Sequence, residues 1–262
     1  MTLREVTRTI IKRVEDVSGC PVSVREDASL KTLTASRIAR GPNKIHMISF
    51  KPSTVSEPDY LICYQCGFIL RLFGIPAADR FDFVGTVEGR QLVFQLLTAP
   101  DGPGKKLNLP PESISELSNH LFDGLMTQLR SIPIGLRVDS WIMREYPELS
   151  ELQQNSAIRQ LQDNLQILSP EIKKLAPTKI FRANLTMNAA FAEFWARHRS
   201  DPRLSLPYKA AGFAKAGEEL LRALDENSAD PSGDCRLIDL WSKQLGLLGW
   251  YQWRPYDAPG HS

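Results

Sequence analysis

The stretch of sequence that decides the fold is Pro58–Phe73, PDYLICYQCGFILRLF. This segment opens with Pro-Asp, is apolar over most of its length and has Gly67 in its interior. Its length and apolar content predict a helix over residues 59–73, which is too short to span a bilayer. The centre of this helix, Tyr64–Phe68 (YQCGF), carries the spacing on which the functional interpretation depends.

Composition places the chain among ordinary globular proteins. Its 262 residues allow one large domain or two small ones, and they suffice to bury a substantial core. An apolar content of 42% with 24% charged residues excludes disordered, collagenous and membrane-spanning classes. The net charge of +2 gives no general affinity for nucleic acid.

Cysteine content and the N-terminal sequence predict a location. Four cysteines are typical of a reducing compartment when the chain starts, as here with MTLREVTRTIIKRVEDV, without an apolar core of signal-peptide length. No segment approaches the ~18 uncharged apolar residues of a membrane span. We expect a cytoplasmic protein without a membrane partner.

The N-terminal part combines helix and strand patterns. Apolar residues at spacings of three and four predict a helix over residues 2–18. Alternating residues predict strands at 21–25 and 44–50, and Pro52 stops the second strand. With the 59–73 helix, this order predicts an α+β fold.

The middle of the chain gives a weaker pattern. Val84–Thr98 fits a strand or a helix, and Asp101–Lys106 (DGPGKK) is a loop by composition. Beyond Pro111, an apolar stripe predicts a helix that is broken at Ile132-Pro133. A shorter helix is expected from Gly135 to about Glu145.

The chain after residue 147 is predicted to be helical. The predicted helices cover residues 148–167, 177–199, 208–226 and 235–246. This change of pattern divides the chain into an α+β domain over residues 1–147 and a mostly helical C-terminal region over residues 148–262.

The 59–73 helix has the spacing of a zinc-protease helix without its ligands. In the motif H-E-x-x-H, two imidazoles one turn apart bind one zinc ion, and the glutamate takes a proton from the bound water. Tyr64 and Phe68 stand at the imidazole positions here, and Gln65 stands at the glutamate position. Phe68 has no donor atom, Gln65 cannot act as a general base, and Tyr64 is a rare ligand with an ordinary pKa of about 10.

On these residues the chain resembles the IrrE/ImmA-like zinc metallopeptidases, a zincin-like family. YQCGF aligns with the H-E-x-G-H of that family, so that Gly67 matches and Tyr64, Gln65 and Phe68 replace the three functional residues. The strand before this helix is also similar. The resemblance covers residues 5–145 and implies a zincin-like N-terminal domain made of a helix, a small sheet and an active-site-type helix.

The same resemblance implies an acidic third zinc ligand on a later helix. Asp139, in LRVDSW, is the position that looks similar, and Glu145 is the alternative. A lone acid opposite Tyr64, Gln65 and Phe68 cannot hold zinc tightly, since zinc sites use at least three protein ligands. We therefore expect no metal, no other cofactor and no peptidase activity.

Two other interpretations of this helix stay open. In the first, YQCGF is an ordinary core helix with an accidental likeness to a zinc helix; in the second, the chain is an active zinc peptidase. Cys63 and Cys66 form a C-x-x-C pair inside the helix rather than at its N-terminus, which favours packing over redox chemistry.

Isolated histidines and acids suggest a second class of function. None of the histidines lies at ligand spacing from another; they are His46, His120, His198 and His261. A metal-independent enzyme would use Asp139 or Glu145 together with His46 or His120 as acid and base. This enzyme is one alternative function.

The C-terminal run Leu247–Tyr256 concentrates aromatic residues, among them Trp250 and Trp253. Such residues are enriched at protein interfaces and also stack on single-stranded bases. They equally cap a helical core. A nucleic-acid-binding protein that uses the helical region is the second alternative function.

The function that the sequence favours is a catalytically inactive metallopeptidase-like protein that acts as a protein-interaction or regulatory module. The resemblance implies a setting in stress response or phage defence. An extended partner peptide is expected to add to the edge of the strand Ile45–Phe50 above the degenerate motif. The candidate partner-binding residues are Ile45, His46, Ile48, Phe50, Trp250 and Trp253.

Overall fold

The computed structural model describes residues 2–52 and 58–256 and confirms the α+β class. The α-helices are α1 Glu5–Ser18, α2 Asp59–Phe73, α3 Val87–Thr98, α4 Pro103–Lys106, α5 Pro111–Glu145, α6 Ser150–Leu165, α7 Pro170–Leu175, α8 Thr178–Arg199, α9 Leu206–Ala210, α10 Ala214–Glu226 and α11 Asp234–Leu245. The strands are β1 Val22–Glu26, β2 Thr34–Arg37, β3 His46–Phe50, β4 Phe81–Gly85 and β5 Tyr251–Pro255. Among these helices, none has the length and apolar character needed to cross a membrane.

The N-terminal sheet has the strand order β1-β3-β2. β3 pairs in parallel with β1, which places Val24 opposite Ile48, and it pairs in antiparallel orientation with β2. The expectation that Ile45–Phe50 offers a free edge to a partner peptide is therefore wrong. β2, which the sequence pattern did not reveal, occupies the second edge of β3.

Helix α2 begins at Asp59 and ends at Phe73, as the sequence predicts. The Asp59 carboxylate accepts hydrogen bonds from the Arg4 main-chain N–H at 2.8 Å and from the Thr7 hydroxyl at 2.5 Å. These bonds fix the start of α2 against α1. Most of α2 is buried, because α1, the sheet and α5 all pack against it.

Helix α5 is continuous from Pro111 to Glu145, so the predicted break at Ile132-Pro133 is wrong. A proline inside a helix destabilises it by about 3 kcal/mol. Pro133 and its neighbours Ile132 and Ile134 are buried, and packing in the larger hydrophobic core offsets this loss. The far end of α5 contributes Val138 and Ile142 to a second core with α1, α2 and β3, so this helix joins the two cores.

The weakly patterned middle of the chain contains short elements. Residues 84–98, whose pattern fits a strand or a helix, hold the end of β4 and then α3. The Thr86 hydroxyl caps the start of α3 by accepting from the Gly89 N–H at 3.1 Å. The predicted loop at 101–106 contains the single turn α4, which corrects that expectation.

The C-terminal strand β5 returns to the N-terminal half, where it pairs in antiparallel orientation with β4. The rings of Phe83 and Tyr251 stack across this pair with centroids 4.3 Å apart. The strand pair therefore joins the two parts expected on either side of residue 147, and the division into 1–147 and 148–262 stays a prediction. Residues 257–262 lie outside the described ranges.

Candidate functional site

Two glycines bring α2 and α5 into close contact. A Cβ atom on Gly67 would overlap the side chain of Val138, and one on Gly135 would overlap the hydroxyl of Tyr64. Glycine at both positions lets the two helices approach, since it has no side chain. Helix packing is therefore sufficient to explain the glycine that matches H-E-x-G-H.

The three motif positions all have partners within the fold. The Tyr64 hydroxyl lies against Gly135, and the Phe68 ring meets the Tyr64 ring edge-on with centroids 5.2 Å apart. The Gln65 side-chain carbonyl accepts a hydrogen bond from the Ser36 hydroxyl of β2 at 2.7 Å. Gln65 therefore connects α2 to the sheet by a hydrogen bond, while Tyr64 packs against α5.

Asp139 lies in a buried cluster between α2, α5 and α6, which we call the Asp139 cluster (Tyr60, Asp139 and Gln153). The Tyr60 hydroxyl donates to its carboxylate at 2.7 Å, and the Gln153 amide donates to the same oxygen at 2.9 Å and to the main-chain carbonyl at 3.0 Å. Asp139 is only 2% exposed. Burial raises the pKa of Asp139 to about 7, although both hydrogen bonds act in the opposite direction.

The residue that bonds Asp139 is thus Tyr60, one turn before the motif position Tyr64. The hydrogen bond to Asp139 thus comes from Tyr60 rather than from the motif position Tyr64. Burial, followed by the charge of the nearby Asp139, raises the pKa of Tyr64. The sequence contained a signal for Tyr60, because a spacing of four residues places it on the same helix face as Tyr64.

The acids and histidines of the enzyme alternative do not converge. The His46 ring is buried against Phe73, and its Nδ1 accepts from a main-chain N–H at 3.1 Å. Phe73 and Tyr60 lie at opposite ends of α2, about 20 Å apart. His120 is exposed on α5, about 28 Å before Asp139 along the helix axis.

Glu145 and His198 have hydrogen-bond partners other than Asp139. The Glu145 carboxylate accepts from the Trp141 indole at 2.7 Å and from Arg13 at 3.2 Å. His198 lies on α8, where its Nδ1 is 2.9 Å from the Phe194 carbonyl oxygen. His261 falls outside the described residues.

Cys63 and Cys66 are free thiols that pack in the smaller core. Burial raises the pKa of Cys63 to about 12, so this sulfur is a neutral thiol at physiological pH. The packing interpretation of the C-x-x-C pair is confirmed.

The residues present do not fit a zinc ion. Within residues 2–52 and 58–256, no group of three or more His, Cys, Asp or Glu side chains is placed to hold a metal. At the motif itself, a phenol, an amide and a phenyl ring occupy the ligand and base positions, and the nearby acid is bonded to Tyr60.

The other candidate partner-binding residues are mostly in the core. Ile48, Phe50 and Trp250 are buried, and Trp250 stacks on Phe122. The Trp253 indole donates to the Asp239 carboxylate at 2.9 Å, which fixes it against α11. Ile45, by contrast, is 44% exposed.

A cleft of about 950 Å³ is bounded by α1, α2, α5, α8 and α10, and we call it the arginine cleft. Its wall includes five arginines, namely Arg13, Arg71, Arg137, Arg144 and Arg197. Three carboxylates also line it, and apolar side chains such as Val138, Trp141 and Leu224 form the rest of the wall. Sequence reasoning missed this site, because its residues come from distant parts of the chain.

An ion-pair network forms one wall of the arginine cleft. The Arg71 guanidinium donates to the Asp234 carboxylate through Nε at 2.7 Å and through Nη2 at 2.6 Å. Arg137 donates through Nη1 to the same carboxylate at 2.6 Å. Asp234 thus joins α2, α5 and α11 at the wall of the cleft.

Comparison with known proteins identifies no relative. No family model matches the chain, and neither a curated protein nor a solved structure matches it. The functional assignment therefore depends on the chemistry of the site itself.

Proposed function

We propose that the chain is a protein-interaction module that binds a segment of a partner protein in the arginine cleft. The observation that carries this proposal is the cleft, whose volume of about 950 Å³ is at the upper end of ligand-binding pockets, roughly 300–1,000 Å³. Its walls combine arginines with an indole and aliphatic side chains. Arginine and tryptophan are the residue types that dominate protein-interaction energies.

The charges in the cleft favour an acidic peptide that also carries apolar residues. The five arginines lie with Glu145, Asp225 and Glu226 in the cleft wall, and Asp234 pairs with Arg71 and Arg137. A nucleic-acid backbone would place phosphates near these carboxylates, and their repulsion opposes binding. A peptide can place a carboxylate beside an arginine and an apolar side chain beside Trp141.

The second part of the proposal is that α2 derives from a metallopeptidase helix that has lost its catalytic function. The support is the i, i+1, i+4 spacing of Tyr64, Gln65 and Phe68 around the matching Gly67. Each replaced residue has a partner in the fold. A regulatory role in stress response or phage defence follows only from the resemblance and is part of this proposal.

The structure gives less support to a metal-independent enzyme. Asp139 has the perturbed pKa expected of a catalytic acid, but it is 2% exposed and is not part of the cleft wall. A substrate in the arginine cleft would not reach it. His46 and His120 are too distant from Asp139 to exchange a proton with it. The other candidate acid, Glu145, does lie in the cleft wall, where it accepts hydrogen bonds from Trp141 and Arg13.

A peptide-display selection tests the proposed function. Random peptides are selected on the purified protein, and the enriched peptides are then measured against Ser140→Trp and Ser140→Ala. Ser140 lies in the cleft wall on α5, where a tryptophan would fill the opening. Circular dichroism and urea unfolding confirm that both variants fold.

We expect enriched peptides to combine Asp or Glu with apolar residues. Ser140→Trp should weaken their binding at least about tenfold, whereas Ser140→Ala should leave it within about twofold. A selection without enriched peptides, or peptides that bind the wild type and Ser140→Trp equally, would refute the proposed function.

A further inference from the structure

The arginine cleft has a positively charged rim where α1 meets the end of α5, which we call the basic rim (Arg13, Trp141, Arg144 and Glu145). Arg13 and Arg144 both contact the Glu145 carboxylate, with nitrogen–oxygen distances of 3.2 and 3.1 Å. The Trp141 indole donates to the same carboxylate at 2.7 Å. Two guanidinium groups therefore share one carboxylate, which leaves an excess of positive charge at this rim.

The side chains of the basic rim are accessible to a ligand. The Arg144 side chain is 68% exposed and that of Arg13 is 51% exposed, and both line the cleft. The Arg13 guanidinium lies 5.7 Å from the ring centroid of Trp141, which is itself partly exposed. An acidic side chain in the cleft can thus reach a guanidinium while a neighbouring apolar side chain packs beside Trp141.

A second rim, formed by α8 and α10, has the opposite charge, and we call it the acidic rim (Arg197, Asp225 and Glu226). Arg197 contacts Glu193 at 3.4 Å and Asp225 at 3.6 Å, and Lys209 contacts Glu193 at 3.5 Å. The Asp225 side chain is 65% exposed. Glu226 is also exposed and forms no ion pair among the described residues. Acids therefore outnumber cations at this rim.

The position of these acids in α10 adds to the negative charge. Asp225 and Glu226 are the last two residues of α10, and no basic residue lies in its last turn. The last carbonyl groups of a helix carry partial negative charge, so acidic side chains are unfavourable at this end. A cation supplied from outside the fold would offset both the acids and the helix end.

We propose that the arginine cleft binds its peptide in one direction, with an acidic side chain at the basic rim and a basic side chain at the acidic rim. Complementary charges on two sides of an interface fix the register of a partner. This inference depends on the proposed function, because it concerns the peptide bound in the same cleft. It adds that the peptide carries charges of both signs and that their order is fixed.

Charge reversal at each rim tests the direction. Arg144→Glu and Glu226→Lys should each weaken the binding of display-selected peptides at least about fivefold at about 0.15 M salt. Each peptide is also made in an acid-swapped form, with Lys for Asp or Glu, and in a base-swapped form, with Glu for Lys or Arg. We expect the acid-swapped form to recover binding to Arg144→Glu alone, and the base-swapped form to recover binding to Glu226→Lys alone.

Two variants outside the cleft control for general attraction between charges. Arg37→Glu on β2 and Glu218→Lys on α10 reverse exposed charges that do not line the cleft. Both should change binding by less than about twofold, since charges more than about 8 Å away are largely screened at this salt concentration. Circular dichroism and urea unfolding confirm that all four variants fold. Losses as large in the controls as at the rims would overturn the inference, as would a swapped peptide that recovers both rim variants or neither.

The outcomes keep the two proposals apart. Selected peptides that respond to Ser140→Trp but carry no basic residue would leave the cleft as the binding site and refute the fixed direction. Peptides that do not respond to Ser140→Trp would refute the proposed function and the direction with it.

Discussion

Two buried ionisable residues of α5, Arg137 and Asp139, have opposite surroundings although they are two positions apart. About 200° around the helix separates them, so they point to opposite sides. Asp139 accepts hydrogen bonds from Tyr60 and Gln153 inside the fold. Arg137, in the wall of the arginine cleft, donates to Asp234, and its Nε and Nη2 atoms are buried without a hydrogen-bond partner among the described residues.

The two sides of α5 therefore differ in how far the fold covers them. The Asp139 side is closed by contacts of α2 and α6, and the residues at its catalytic-type positions pack within the fold. The Arg137 side borders the arginine cleft, where arginines and apolar side chains form the wall.

The largest predicted effect concerns the buried carboxyl group of Asp139. The pKa of Asp139 is raised in the folded protein from 3.8 to about 7, so the folded state holds this proton more tightly than the unfolded chain. The contribution of Asp139 to stability is therefore complete below pH about 4 and is lost as pH rises through about 7. Over this window we expect the free energy of unfolding to lose about 4 kcal/mol relative to Asp139→Asn.

Urea unfolding at several pH values between 4 and 8 measures this effect. Asp139→Asn keeps an oxygen that can accept from Tyr60 and Gln153 while removing the titration. Asp163→Asn, at an exposed position of α6, is the matched control and should show the same pH dependence as the wild type. If the free energies of unfolding of the wild type and Asp139→Asn differ by a constant amount across this range, the pKa of Asp139 is not raised in the folded protein.

The second effect concerns the contact between α2 and α5. Gly135→Ala should lower the free energy of unfolding by about 2 kcal/mol, because the new methyl group overlaps the Tyr64 hydroxyl. Tyr64→Phe removes that hydroxyl, so the double variant should recover at least half of the loss. Gly124→Ala, in the same helix with open space around it, should stabilise by up to about 1 kcal/mol.

Urea unfolding of these four variants decides the point. If Tyr64→Phe fails to relieve Gly135→Ala, Tyr64 does not lie against α5 and the assignment of this motif position to packing is wrong.

The smallest effect concerns the position that a general base would occupy. Gln65→Ala and Ser36→Ala each remove the hydrogen bond between α2 and β2. We expect a double-mutant cycle to give a coupling energy of about 1 kcal/mol in urea unfolding. A coupling energy of zero would mean that Gln65 has no structural bond to the sheet.

Local patterns in the sequence were enough for many elements of the fold. The bounds of α2 follow from one apolar segment, and the helices near residues 5–18 and 178–199 follow from periodic apolar residues. Two errors came from tertiary contacts. β2 (TASR) has no alternating pattern and forms by pairing with β3, and Pro133 stays helical because its surroundings are packed.

The candidate site was less accessible to sequence reasoning. Asp139 was placed opposite α2 by resemblance, and its partner proved to be Tyr60, which a helix-face argument could have identified. The arginine cleft had no local signal. Arg71 and Asp234 are 163 residues apart in the chain, and only the complete fold brings them to Arg137.

The metal content of the protein tests most directly the central claim that the catalytic-type positions of α2 serve structure. The protein is expressed in zinc-supplemented medium, desalted gently and measured by inductively coupled plasma mass spectrometry. We expect less than about 0.1 zinc per chain, since Tyr64, Gln65 and Phe68 supply no set of three ligands. One zinc per chain that is lost in Asp139→Asn would contradict it.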